Sequence, residues 1–273
     1  MRTTGTWDPT AYARYGGERT RPFLDLLARI GAEDPHLVVD LGCGSGMSTL
    51  LLAKRWPQAR IIGVDSSASM LEAAREADTD GAVEWVEADL RAWDPATVGA
   101  PVDVIVTNAA LQWVPGHLGL LDRWVAALAP DGWLALQVPG NFHAPSHALM
   151  GQVAQTHPRA VELEDALDLL GVAEPATYLR TLSRLGCVVD AWETTYQHVL
   201  EAGEGEHPVL TWVRSTGLRP VLDLLTEDEE LEAFLTPYEA ALHTAYPILD
   251  GTAVFGFRRI FAVARRLPSP PAG

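Results

Sequence analysis

The sequence predicts an α/β fold: a doubly wound, mostly parallel sheet with a late antiparallel strand and a helical cap insertion. Three observations predict it. From residue 37 to 138, strand-length apolar runs alternate with helix-length amphipathic runs, as in a parallel sheet covered by helices on both faces. The first run, LVVDLG, empties into three closely spaced glycines that open a helix. After Pro139 the alternation gives way to helices, and a strand pattern returns only late in the chain.

The elements follow in order. LVVDLG (37–42) is apolar enough to be buried on both faces, MSTLLLAKRW reads as a helix, and RIIGVD (60–65) is the second strand. SASMLEAAREA is a helix opened by serine caps, because a serine oxygen can accept from a backbone N–H of the first turn. VEWVEAD (83–89), VDVIVTNA (102–109) and GWLALQV (132–138) continue the sheet. Between the last two, HLGLLDRWVAALAP forms a helix stopped by Pro130 and a turn at Asp131 and Gly132. Beyond Pro139, HALMGQVAQ and VELEDALDLLG are helices, CVVDAWETTYQHVL is a long strand, and 208–246 is mostly helical. AVFGFRRIFAVARR (253–266) alternates as the last strand, and the tail LPSPPAG is expected to be disordered. The expected division is a helical segment at 1–30 that closes over the site, a core at 31–140 and a cap region at 141–250 that lends the core one strand at about 187–200. A final core strand at 251–266 and a tail at 267–273 complete it.

A length of 273 residues with 48% apolar content supports a sizeable core. No apolar run reaches the ~18 residues of a membrane span, and MRTTGTWDP lacks the regions of a signal peptide, so a cytoplasmic protein without a membrane partner is expected. A formal charge of −16 opposes nucleic acid as partner, since phosphate binding needs a basic face. Lys54 is the only lysine, so nearly all positive charge is carried by arginine, the side chain suited to bidentate carboxylate recognition. Cys43 and Cys187 lack metal-ligand spacing, and neither a metal nor a disulfide is expected.

Gly42, Gly44 and Gly46 let the backbone approach a ligand beside the free N–H groups of a helix start. A dinucleotide fingerprint would place its third glycine where Met47 stands, for close packing of helix on strand. Asp40, just before the turn, is also unsuited to a pyrophosphate, yet would hold an ammonium group. Asp65 ends the second strand 25 residues later, where acidic residues of such folds accept hydrogen bonds from a ribose diol. Asp89 and Leu90 end the third strand and could hold an adenine amino group and flank its ring. Each aspartate alone could be a helix cap or a solvated strand end; three at successive strand ends beside a glycine turn favour a ligand site.

At these residues the sequence resembles the class I methyltransferases, a Rossmann-like family that uses S-adenosylmethionine. DLGCGSG matches their first motif, GVDSSASML the second, VEADLRAW the third and TNAALQWV (107–114) the fourth, a likeness covering about residues 36–139. A closer one runs nearly end to end: WDPTAYARYGGERTRP, NAALQWVPGH, APSHALM and WVRSTGLRP are similar to segments of the trans-aconitate 2-methyltransferases. Those are bacterial, cytosolic enzymes that esterify one carboxylate of trans-aconitate. The linkers at 158–175 and 201–207 depart from them. The resemblance implies S-adenosyl-L-methionine as cofactor, S-adenosyl-L-homocysteine as product and a small polycarboxylate as acceptor. It implies cofactor contacts from Asp40, Gly42, Cys43, Gly44 and Gly46 at the turn, and from Asp65, Ser66, Met70, Asp89 and Leu90 after the next two strands. Asn108, Ala109, Gln112 and Trp113 at the fourth strand, with Tyr15 and Arg19 in the N-terminal segment, complete that set.

The reaction implied is an in-line displacement in which a carboxylate oxygen attacks the sulfonium methyl. A carboxylate is ionised at neutral pH, its reference pKa being about 4, so no catalytic base is expected and catalysis is positioning alone. No histidine with an obvious acidic partner and no nucleophile elbow stand out in the chain. An acidic protein that binds a tricarboxylate needs a local basic pocket. Arg219 leads the candidates, then Arg19, Arg258 and Arg214, with Arg21 and Arg259 behind; His147 and Trp113 are further acceptor contacts, His147 being equally readable as a helix-start residue. Trp7, Tyr12 and Tyr15 could close over the cofactor or anchor the first helix. Trp56, Trp85 and Trp124 read as core, and a monomer or weak homodimer is expected. Three alternatives stay open: a related enzyme for another small acid or hydroxyl, a nicotinamide-dependent oxidoreductase, and a binding module that keeps the turn without an acceptor pocket.

Overall fold

The computed structural model describes residues 16–168 and 171–268. Trp7, Tyr12 and Tyr15 and the last five residues lie outside them, as does the side chain of Arg19. After helix α1 (Gly16–Ala28) come β1 (Leu37–Leu41), α2 (Met47–Arg55), β2 (Arg60–Asp65), α3 (Ala68–Ala77), β3 (Val83–Glu87) and β4 (Val102–Asn108). Next are α4 (Leu121–Ala127), β5 (Leu128–Pro139), α5 (Pro145–Thr156), α6 (Ala160–Asp168), α7 (Pro175–Arg184) and β6 (Cys187–Glu201). The described chain closes with α8 (Pro208–Arg214), α9 (Arg219–Leu224), α10 (Asp228–Ala245) and β7 (Thr252–Arg266).

The seven strands form one sheet in the order β3-β2-β1-β4-β5-β7-β6. The first five run parallel, which explains why β1 is buried at every position, as the central strand of a sheet covered on both faces must be. β6 and β7 are antiparallel: Leu267 N–H donates to Gly186 at one end and Ala202 N–H to Gly251 at the other. Strand order reverses between β1 and β4, the switch point where folds of this kind place ligands.

Register sorts the side chains by face. Trp85, Gly63, Asp40, Val106 and Ala135 align across β3, β2, β1, β4 and β5. Because side chains alternate, Asp65, Asn108 and Gln137, two residues further on, stand on that same face at the carboxyl ends of their strands. The opposite face carries Leu41, Val64, Ile105 and Leu136, which join Trp124 of α4 and Tyr178 and Leu182 of α7 in one buried cluster.

Two elements differ from expectation. The single helix read over 117–130 is a 3-10 turn at His117–Leu120 followed by α4, and β5 begins at Leu128, ahead of Pro130. The turn at Asp131 and Gly132 survives as a bulge: pairing jumps from Val102↔Leu128 to Val104↔Trp133, and Asp131 has φ 63°. The α7 helix, with Tyr178 and Leu182 as its buried anchors, falls in a stretch to which the sequence reading assigned no element. The Cys187–Glu201 strand, the helices between 208 and 246 and the last strand lie where the sequence puts them.

The described residues cluster into two compact units. One runs through Val138 and adds Val172–Glu193 and the chain from Ile260; the other takes Pro139–Gly171 and Thr194–Arg259. In the first, Arg29, just after α1, lies over the Trp192 ring at 4.6 Å and pairs with Asp190, while Trp192 stacks on Phe261 at 4.7 Å. In the second, Trp212 is fully buried among His198, Phe255 and Phe257. There too, the α10 residue Tyr238 donates to the Ser146 carbonyl and Tyr246 accepts from Ser146 N–H, tying down the start of α5.

Candidate active site

The glycine turn leaves β1 with Gly42 and Cys43 N–H both donating to the Val64 carbonyl of β2. All three glycines have positive φ, between 54° and 79°, a region that costs an L-residue about 1–2 kcal/mol. Their surroundings differ. A Cβ on Gly42 would lie 2.2 Å from the Ala110 methyl, and one on Gly46 would lie 2.6 Å from the Trp85 ring. Around Gly44 there is open space. Gly42 and Gly46 are therefore set by packing, and Gly44 by the room it leaves above the turn. Close approach of helix to sheet falls on Gly46, so that Met47 can remain half-exposed at the first position of α2.

The carboxylates divide by what holds them. Asp40 is buried, and Thr49 of α2 donates its hydroxyl to Asp40 Oδ2 at 2.7 Å. Burial pushes the Asp40 carboxyl up to about 7, Thr49 pulls it down and the nearby Asp65 charge adds to the rise. Asp65 accepts from Gly44 N–H at 2.8 Å and from Ser67 N–H at 2.9 Å, so it braces the turn and the start of α3 together. Its expected role as a ribose contact alone is thus too narrow: removing it would also release the turn. Asp89 is bracketed by Arg91, whose Nε and Nη2 lie 2.6–3.0 Å from its oxygens, and this guanidinium holds Asp89 below the usual carboxylate range. An adenine amino group there would compete with a cation. Leu90 and Met70 are buried, Leu90 next to Gly42, and Ser66 precedes the Ser67 cap that accepts from Met70 N–H.

The end of β4 is strained and polar. Ala109 has φ 53°, its N–H donates to Gln137 of β5, and Gln112 Nε2 donates back to the Ala109 carbonyl. Asn108 Oδ1, Gln112 Oε1 and Gln137 Nε2 are buried without a hydrogen-bond partner among the described residues. Such orphan groups cost about 1–3 kcal/mol each unless a ligand or water meets them. Trp113 follows, 40% exposed. Behind it His117 Nε2 lies 2.7 Å from the Tyr178 hydroxyl and Nδ1 contacts the Val114 carbonyl, so α7 buttresses this loop and the imidazole is used up in structure.

All these cofactor candidates lie in the turn-bearing unit, whereas the acceptor candidates Arg214, Arg219, Arg258 and His147 lie in the helical one. Arg214 grips both oxygens of Glu206, at 3.1 and 2.7 Å. Arg219 faces Asp223 one turn on, at 3.7 Å, with 18% of its side chain exposed. Arg258, inside β7, donates its backbone N–H to Asn141 Oδ1 and accepts from Gly140 N–H at its carbonyl. Arg259 lies over the Phe257 ring at 4.2 Å and is buried. His147 sits at the start of α5 against Gly217, where a Cβ would lie 2.5 Å from its Nε2. The structure thus brings the APSHALM and WVRSTGLRP segments together. Burial lowers His147 to about 4, which leaves it neutral at pH 7 and able to offer a carboxylate one uncharged hydrogen bond only.

Sequence reasoning missed Thr49, Trp85 and Gln137. Trp85 was read as core; its ring instead forms the support of the turn against Gly46 and Gly63, with its N–H on Asp78. The available signal was register: Trp85 and Gln137 share the face of Asp40.

The family described as methyltransferase domain matches residues 38–132. A trans-aconitate 2-methyltransferase of Streptomyces coelicolor is 49% identical, covering 97% of this chain and 88% of that protein. Among solved structures, the YcgJ protein from Bacillus subtilis superposes with TM-score 0.58 at 13% identity over 90% of this chain and 97% of its own. Phosphoethanolamine N-methyltransferase 2 of Haemonchus contortus, solved with S-adenosylhomocysteine, gives TM-score 0.57 at 15% identity, over 95% of this chain and 57% of its own.

Proposed function

This chain belongs to the trans-aconitate 2-methyltransferase family, and from that premise we propose that it transfers a methyl group from S-adenosylmethionine to a carboxylate of trans-aconitate. The products are S-adenosylhomocysteine and the monomethyl ester. The carrying observation is identity of 49% over nearly the whole chain, which extends past the cofactor motifs into the helical unit.

The turn fits that cofactor. Gly44 leaves room, Asp40 and Asp65 offer acceptors to an ammonium and a diol, and Asn108 Oδ1 and Gln112 Oε1 are unfilled acceptors at the switch point. When bound, the cofactor supplies an electrophilic sulfonium methyl. The chain's part is to hold the acceptor oxygen in line with it and exclude water, which in favourable cases lowers a barrier by roughly 7–11 kcal/mol. No general base is required, because the attacking carboxylate is already ionised, at a reference pKa of about 4. Arg219 is the first candidate to bind the acceptor; its exchange of Asp223 for a substrate carboxylate would keep the guanidinium paired throughout.

We further place the enzyme in the cytoplasm without nucleic acid, supported by the charge of −16 and by the absence of any membrane-length apolar helix among the described residues.

The test is incubation with S-adenosylmethionine and, separately, trans-aconitate, cis-aconitate, citrate and isocitrate, with ester formation followed by mass spectrometry. Rapid esterification of trans-aconitate is expected. No ester from any of the four, with S-adenosylhomocysteine still bound, would overturn the acceptor and keep the cofactor.

A further inference from the structure

Asp40 stands on the ligand face of β1, buried to 1% exposure, and the only hydrogen-bond partner of its carboxylate among the described residues is the Thr49 hydroxyl. Thr49 is itself fully buried in the first turn of α2. A threonine there is a poor helix former, and its hydroxyl would ordinarily bond back to a carbonyl of the preceding turn. Here it points across to the strand that the turn has just left and occupies Oδ2, leaving Oδ1 for whatever the turn receives. Among the described residues no arginine or lysine is paired with Asp40; the charge that acts on it is Asp65 at the end of β2, which disfavours its anion, and Cys43 in the turn is a buried neutral thiol beside it.

We propose that Thr49 is a positioning residue for cofactor binding: its hydroxyl fixes the Asp40 carboxylate in one rotamer and holds it as the anion that meets the cofactor's ammonium. This rests on the assignment of Asp40 to the methionine end of the cofactor. Without that hydrogen bond the carboxylate would turn freely and take up a proton more readily, since burial already favours its neutral form. Cofactor affinity then depends on pH through one group. An ammonium selects ionised Asp40, so affinity falls as pH drops below about 7, by up to about tenfold per pH unit.

The experiment is calorimetric titration of S-adenosylhomocysteine into the wild type, Thr49→Val, Thr49→Ser and Asp40→Asn between pH 6 and 8.5, with thermal unfolding as the check on folding. Thr49→Val is expected to raise Kd about tenfold at pH 7, the scale of one hydrogen bond to a charge, and to move the loss of affinity to higher pH. Thr49→Ser should restore both, with the acceptor KM unchanged. Thr49→Ala gives the same reading if the valine variant does not fold. Wild-type affinity and pH profile in Thr49→Val and Thr49→Ala, with Asp40→Asn impaired, would overturn the role of Thr49 alone. Wild-type affinity in Asp40→Asn would overturn it by removing the assignment beneath it.

Discussion

The two units present charge in opposite ways. In the turn-bearing unit the inner carboxylates, Asp40 and Asp65, are held by a hydroxyl and by backbone N–H groups, so their negative charge is left over for a ligand. In the helical unit cations meet anions pairwise: Arg214 with Glu206, Arg219 with Asp223, and Arg159 with Glu162 and Glu230. A cation site of the proposed kind is visible in the free protein because, among the described residues, no basic side chain pairs with Asp40 or Asp65. An anion site built from paired arginines is hidden, since binding replaces one carboxylate by another.

The contrast can be broken most severely at Gly42. Gly42→Ala combines left-handed strain with a clash against Ala110, and should cost about 2–5 kcal/mol and abolish tight S-adenosylhomocysteine binding. Gly44→Ala meets only the strain of about 1–2 kcal/mol, and should fold while binding more weakly. Denaturant unfolding of the pair decides it; equal losses would mean that packing does not distinguish the two glycines.

Acid should move the two units in opposite directions. His147, lowered to about 4 by burial, binds its proton more weakly folded than unfolded, so the helical unit loses stability as pH falls from about 6.5 towards 4. Asp40, raised to about 7, binds its proton more tightly when folded, so its contribution is full below about 4 and is lost as pH rises through 7. Hydrogen exchange at pH 5 and 7 should show α5 less protected and β1 more protected at the lower pH. Parallel changes in both would refute it.

The smallest effect sharpens the comparison. Arg219→Lys should raise the acceptor KM about tenfold while leaving S-adenosylhomocysteine affinity intact, because a point charge cannot replace a bidentate fork. Equal changes in both constants would move Arg219 out of the acceptor site.

The fold was legible because its evidence is local: strand-length apolar runs, glycines after β1 and acidic residues at three strand ends all lie within short windows. What escaped was set by distance along the chain. Trp85 reads as an ordinary apolar strand residue until register places it under Gly46 and Gly63. Thr49 reads as a weak helix position until the turn folds α2 back over Asp40. The helix at Pro175–Arg184 was missed because its buried side is marked only by Tyr178 and Leu182, four residues apart, too short a pattern to stand out. Which arginines serve an acceptor cannot be read from type alone, since Arg214 and Arg219 share one segment and differ in their acidic partners.

Cys43 carries a last consequence. Sulfur in its ionised form is a stronger nucleophile than any carboxylate, and if the turn receives the cofactor as proposed, an ionised cysteine there could be alkylated by it. Burial, reinforced by the charges of Asp40 and Asp65, raises the Cys43 thiol far above its ordinary value, and the side chain packs on Gly63 as a small apolar filler. The same carboxylates that would draw in the cofactor therefore also hold the Cys43 sulfur as the thiol, its less nucleophilic form.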